Sequence, residues 1–150
     1  MVMNPIVSIR PAKSQDVDII YEFICTLEET ELDYTQFRSI FLHNLTDPRV
    51  HYLVAEVKHE VVGFVSCHIQ YLLHHAGKVG EIQELYVQPE YRNQQIGTKL
   101  VEALEQIVIR EKVVNLEVTT NQKRTDTHRF YEDLTFEPSH YKFVKGMQES

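Results

Sequence analysis

The alternation of apolar and polar positions divides the chain into short elements. Residues 7–10 (VSIR) read as a strand closed by Pro11, and Ser14 then offers an N-cap for a helix carrying Val17, Ile20, Tyr21, Ile24 and Leu27 at helical spacing. A second helix from about Thr35 sets Phe37, Ile40, Phe41 and Leu45 on one side and ends before Asp47-Pro48. Residues 51–57 (HYLVAEV) and 61–69 (VVGFVSCHI) have the look of strands joined by the polar turn Lys58-His59-Glu60, a hairpin pattern. Residues 81–87 (EIQELYV) form the next strand, halted near Pro89. A helix from about Gln95 follows, with Ile96, Leu100, Val101, Leu104, Ile107 and Val108 as a wide apolar stripe. Residues 114–120 (VNLEVTT) predict a strand, 125–134 a short helix and 140–145 (HYKFVK) a last strand. This order describes one mixed α/β domain spanning residues 1–150, with helices packed on a twisted sheet.

Composition narrows the classes. At 43 % hydrophobic and 25 % charged residues, with little glycine or proline, the chain can build one sizeable core. No apolar run approaches the roughly 20 residues that span a bilayer, so no membrane partner is expected. The N-terminus lacks a basic region followed by an apolar one, and Cys25 and Cys67 sit in apolar segments. Both features predict a cytoplasmic protein with reduced core thiols. The net charge of −7, with no block of lysine and arginine, argues against nucleic acid as a partner. It suits cationic small molecules or basic peptides instead.

The junction PEYRNQQIGT, residues 89–98, carries the candidate chemistry. The first four N–H groups of a helix have no partner within it, and with the helix dipole they form an anion site. A tight loop through Asn93, Gln94 and Gln95 can aim further amides at the same point. Arg92 adds a cation, Gly97 removes a side chain where a ligand would pass, and Thr98 adds a hydroxyl. The junction is suited to a phosphate or pyrophosphate; the plainer alternative is an ordinary strand-to-helix turn with a surface arginine. Neither GxxxxGK[ST] nor GxGxxG is present, which sets aside nucleotide triphosphates and the dinucleotide fingerprint.

Leu85, Val87, Pro89, Arg92 and Gly97 together resemble the acetyl-CoA-binding motif L-x-V-x-P-x-x-R-x-x-(G)-x-G of the GNAT superfamily of N-acetyltransferases. Gln95 stands where that motif usually has its first glycine. A second signature follows: strand, Asn121, then THRFYEDLTF, similar to the family's F-Y-x-x-x-G-F through Phe130, Tyr131 and Phe136, with Thr135 replacing the glycine. That replacement asks the helix end to close without its preferred left-handed residue, at a cost of roughly 1 kcal/mol. HIQYLLHHAGKVGEIQELYVQP, NQKRTDTHRFY and FRSIFLHNLTDPRVHYLVA extend the likeness to the bacterial aminoalkylphosphonate N-acetyltransferases, over about residues 8–145. The resemblance implies a largely antiparallel sheet of six to seven strands with about four helices. It implies acetyl-CoA as co-substrate, transfer to a primary amine of a small molecule, and a homodimer as an open oligomeric possibility.

Acetyl transfer to an amine requires a base for the ammonium, polarisation of the thioester carbonyl and a proton for the departing thiolate. Glu81 matches the strand base of family members that use one, with Glu84 as the alternative. Side chains alternate along a strand, so residues three apart face opposite ways unless a bulge intervenes, and only one of the two is expected to face the acetyl group. The resemblance gives the backbone of Leu85, Tyr86 and Val87 to the pantetheine arm, with the Leu85 N–H on the thioester carbonyl. It gives Asn121 to the coenzyme arm and Tyr131 to the thiolate proton. Arg38 and Arg124 are candidates for an anionic acceptor head, and His74 and His75 for acceptor contact. No metal is expected, since neither HExxH nor a zinc spacing occurs. Polyamines, aminoglycosides or peptide amines are alternative acceptors. A non-catalytic acyl-CoA sensor is the alternative of another class.

Overall fold

The computed structural model describes residues 6–120, 122 and 124–148. The chain divides into two compact units, Met1–Val118 and Thr119–Ser150.

In the first unit, β1 (Val7–Pro11) leads through a 3-10 turn to α1 (Val17–Glu28) and α2 (Tyr34–Leu45), followed by β2 (Val50–Val57), β3 (Glu60–Leu72) and β4 (Gly77–Val87). Helix α3 (Ile96–Arg110) then leads to β5 (Asn115–Val118). The five strands lie in sequence order in one sheet. Pairs β1–β2, β2–β3 and β3–β4 are antiparallel, and β5 runs parallel to β4 after the α3 crossover.

The two faces of the sheet are covered by different helices. Phe64 and Tyr86, together with Val54, pack against Val17, Ile20, Phe23 and Ile24 of α1 and Phe41 of α2. The opposite face meets the α3 stripe: a Cβ on Gly63 would lie 3.2 Å from Leu100, and one on Gly80 3.2 Å from the Cys67 sulfur and 3.7 Å from Val108. Small residues here let α3 approach closely. Ile96, Leu100, Val101 and Leu104 are almost wholly buried, as their spacing predicts. Ile40, by contrast, is 58 % exposed, so the apolar side of α2 is narrower than its sequence suggests.

The entry to α1 also differs from expectation. The N-cap position of α1 falls not to Ser14 but to Asp16, which is buried and whose side chain turns back to the preceding turn rather than to an α1 amide. Its carboxylate accepts the Lys13 N–H at 2.7 Å and a two-pronged bond from Arg10 at 2.8 and 3.0 Å. Arg10 also reaches Glu56, tying β1, β2 and the helix entry together. Burial pushes the Asp16 carboxyl up, but the bonds from Arg10 and Lys13 outweigh it and hold the group below its ordinary value. A carboxyl lowered in the folded state stabilises the fold above its unfolded pKa and loses that contribution as pH falls through the folded value. Asp16→Ala should therefore cost about 3 kcal/mol in urea unfolding at pH 7, since it leaves Arg10 part-buried without its main partner. The difference from wild type should shrink below about pH 4; a gap that does not change with pH would count against the ion pair.

The second unit holds α4 (Thr125–Asp133). Thr135 takes the left-handed conformation itself, at φ 70°, and the Phe136 N–H closes on the Tyr131 carbonyl at 3.0 Å. The helix thus ends as the family motif would have it, with a β-branched residue in a glycine's place. Thr135→Gly should raise stability by about 1 kcal/mol, read as a higher melting temperature. The strand expected over 140–145 is absent: residues 137–147 have no regular structure, and the sheet has five strands among the described residues, not six to seven.

Candidate active site

Strand β4 ends in two distinctive features, a bulge and an unpaired edge. Opposite β3, Ser66 faces Glu84 while Cys67 faces Ile82, so Gln83 is the extra residue of a bulge. The bulge resets the alternation. Glu84 shares the α1–α2 face with Tyr86 and Ser66, and Glu81, paired with His68, comes to the same face. The expectation that only one of the two carboxylates could face a given side is therefore corrected, because the extra residue cancels their odd spacing.

Pairing with β5 stops at Ile82–Val118, whereas β4 runs on to Val87. The Gln88 N–H bonds Val62 on β3 and the Glu84 N–H bonds the Ser66 hydroxyl, so alternation sends the Leu85 and Val87 amides to the other edge. That edge has no strand partner beyond Ile82 among the described residues. The Val87 carbonyl on this edge accepts Arg92 Nε at 2.9 Å, and the Arg92 guanidinium lies 5.5 Å from the Tyr86 ring centre. Arg92 thus braces the strand end as well as adding charge to the loop.

Beyond Arg92 the backbone turns sharply. Asn93 and Gln95 both have left-handed φ, 65° and 62°, without being glycine. From residue 93 to residue 98, six consecutive N–H groups find no acceptor among the described residues; the ladder resumes with Lys99 on Gln95 at 3.0 Å. Gln94 Oε1 is buried and also lacks a partner among the described residues. A run of unsatisfied donors at the start of a 15-residue helix is the donor set a diphosphate needs. Gln95, which stands where the motif usually has its first glycine, takes a conformation usually given to glycine.

On the α1–α2 face, Ser66 is completely buried. Its hydroxyl donates to the Glu84 carboxylate while accepting the Glu84 N–H at 3.0 Å. Tyr52, from β2, accepts Asn44 Nδ2 at 2.7 Å, and its ring lies 6.5 Å from that of His68. Burial pushes the Tyr52 phenol up against the Asn44 bond, and the Glu84 charge adds to the rise. Ser66, Tyr52, Asn44 and His68 were not singled out from the sequence. The one signal was Ser66, a polar residue inside an otherwise apolar strand.

His74 is exposed, and His75 turns to β5, with Asn115 at 3.5 Å and Glu117 at 3.7 Å. Arg38 is exposed on α2. Among the described residues no three His, Cys, Asp or Glu side chains gather closely enough to hold a metal. Both cysteines are free; burial pushes the Cys67 thiol up to about 12, leaving no thiolate there at neutral pH.

In the second unit, Tyr131 is buried, with its ring 5.1 Å from Phe130 and 5.5 Å from Phe136. Burial alone pushes its phenol up to about 12. Arg124, exposed, precedes α4. Asn121 lies outside the described residues.

The Acetyltransferase (GNAT) family matches residues 17–136. The chain is 44 % identical to an aminoalkylphosphonate N-acetyltransferase of Salmonella typhimurium, over 95 % of this chain and 93 % of that one. It is 35 % identical to an uncharacterized N-acetyltransferase of Archaeoglobus fulgidus, over 82 % and 88 %. Among solved structures, the aminoglycoside N-acetyltransferase AAC(6')-Iy in complex with CoA superposes with a TM-score of 0.86 at 13 % identity, over 99 % of both chains. The unpaired end of β4, the donor-rich helix start and these similarities converge: the chain belongs to the GNAT family of acetyltransferases, enzymes that take their acetyl group from acetyl-CoA.

Proposed function

We propose that this acetyltransferase acts on the primary amine of an aminoalkylphosphonate. The observation that carries the reading is the 44 % identity, over nearly the full length of both chains, with an aminoalkylphosphonate N-acetyltransferase. The acceptor has two charged ends. The ammonium suits the face where Glu81 and Glu84 lie together, and the likeness to the aminoalkylphosphonate enzymes offers Arg38 in the first unit, and separately Arg124 in the second, as candidate cations for the dianionic head. His74 and His75 remain candidates for acceptor contact, with His75 oriented by Asn115 and Glu117.

In this reading the amine loses its proton to Glu81, directly or through a water, and attacks the thioester carbonyl in a single transfer. Ser66 holds Glu84 in a set orientation, where its charge attracts the ammonium and it is the alternative base. The Leu85 N–H stabilises the carbonyl oxygen as charge builds on it, and the protonated Tyr131 phenol supplies the thiolate's proton. The amides of residues 93–98 and the Arg92 side chain take the diphosphate, with Gly97 and Thr98 in the first turn of α3. Asn121 keeps its part on the coenzyme arm by its match to the family motif.

A thiol-release assay across aminoalkylphosphonates, polyamines, aminoglycosides and a peptide amine tests the acceptor. The phosphonates should show the highest kcat/KM, by at least tenfold. Preference for a polycation, which the net charge of −7 would suit, sinks this acceptor class. Tight acetyl-CoA binding with no turnover on any amine would mark a sensor.

A further inference from the structure

Two rows of side chains cross the sheet on its α1–α2 face. Tyr52 on β2 lies opposite Ser66 on β3, which lies opposite Glu84 on β4. One step along, Val50, His68 and Glu81 form the next row. Facing residues on neighbouring strands stand within about 5.5 Å of one another, and Tyr52, His68, Glu81 and Glu84 are all half-buried. Ser66 spends its hydroxyl within this patch, donating to the Glu84 carboxylate and accepting the Glu84 N–H at 3.0 Å. Tyr52 and His68 do not. The Tyr52 ring is fixed by Phe41, stacked at 5.3 Å, and by Phe64, edge-on at 5.4 Å. Its oxygen accepts Asn44 Nδ2 at 2.7 Å, which leaves the phenolic proton without an acceptor among the described residues. The His68 ring, 6.5 Å from that of Tyr52, has no hydrogen-bond partner among the described residues either.

A phenol and an imidazole with unspent donors, beside two carboxylates, fit a ligand with an anion at one end and a cation at the other. We infer that Tyr52 and His68 hold the phosphonate head and so select the acceptor, an inference that rests on the aminoalkylphosphonate reading above. The Tyr52 O–H and a His68 ring N–H donate to phosphonate oxygens, while the ammonium lies over Glu81 and Glu84. The reverse orientation fails, because an ionised carboxylate only accepts and repels a dianion. Donation to an ionised oxygen is about twice as strong as between neutral groups, so two such donors suffice to discriminate. Facing Glu81 across the strand pair and lying beside Tyr52, the imidazole is also the ring whose charged form a dianion favours. His68 stands one strand from the carboxylates, ~4.8 Å, a span that suits a short alkyl link between the two charges. All of these residues belong to the first unit.

Aminomethylphosphonate and ethylamine, which share the amine and differ in the head, separate the roles in a thiol-release assay. Wild type should favour the phosphonate by at least tenfold in kcat/KM. Tyr52→Phe and His68→Leu should each cut that preference by about tenfold, through the KM of the phosphonate. His68→Gln, which keeps an N–H donor, should recover part of it. Methylphosphonate, the head without the amine, should compete with aminomethylphosphonate in wild type and about tenfold more weakly in Tyr52→Phe and His68→Leu. Tyr52→Phe keeps the stacking on Phe41, and circular dichroism checks that each variant is folded. A wild type that prefers neither amine overturns the acceptor reading and this inference together. A wild-type preference that survives in both variants overturns this inference alone and leaves the head to other cations. An equal loss on both amines also overturns it, since the two residues would then serve any acceptor.

Discussion

Tyr131→Phe should lower kcat by roughly a hundredfold to a thousandfold, the range a positioned general acid commands, and leave the KM for acetyl-CoA nearly unchanged. Burial pushes this phenol up to about 12, so at neutral pH it is a proton donor. Removing the hydroxyl keeps the ring contacts with Phe130 and Phe136 and therefore the fold of the α4 end. Pre-steady-state thiolate release should carry the defect. The raised value also has a stability sign. A group that holds its proton more tightly when folded favours the fold fully below its unfolded pKa of about 10 and loses that contribution as pH rises toward 12. Alkaline unfolding should accordingly begin later in the variant. A kcat within threefold of wild type removes Tyr131 from the chemistry.

The second large effect is expected at the paired carboxylates. Glu81→Gln should reduce kcat/KM by about a hundredfold near pH 7, and the deficit should fade as pH approaches 10, where an alkyl ammonium deprotonates unaided. Glu84→Gln should cost less and act chiefly on the KM of the amine, because its carboxylate is already engaged by Ser66. The reverse ranking, with Glu84→Gln producing the pH-dependent loss, would make Glu84 the base. The Gln83 bulge makes both outcomes geometrically open, since both side chains reach the same face.

How much of this was legible varies with the range of the interaction involved. The α3 stripe was readable because helical burial repeats every three to four residues, and its buried members match. The anion loop was readable as a motif, and its unsatisfied amides follow from where a helix must begin. Ser14 misled because a capping preference is weaker than a buried two-pronged ion pair, and Asp16 finds Arg10 across six residues and a strand end. The alternation of residues 140–145 was genuine, but alternation records what a segment is fit to join and says nothing about where its partner lies. Among the described residues the segment belongs to no strand.

The sequence by itself determined the element order as far as α4, the core stripe, the family motif and the chemistry its residue types permit, because these depend on local spacing along one backbone. Tertiary structure alone decided that Glu81 and Glu84 share a face, that Ser66 orients one of them, that Arg92 braces the Val87 carbonyl, and that β4 outruns β5 to leave an open edge. Each of these rests on the register between neighbouring strands or on how the chain folds back beyond them. One inserted residue reverses which side a chain presents, and that reversal leaves no mark in the local pattern.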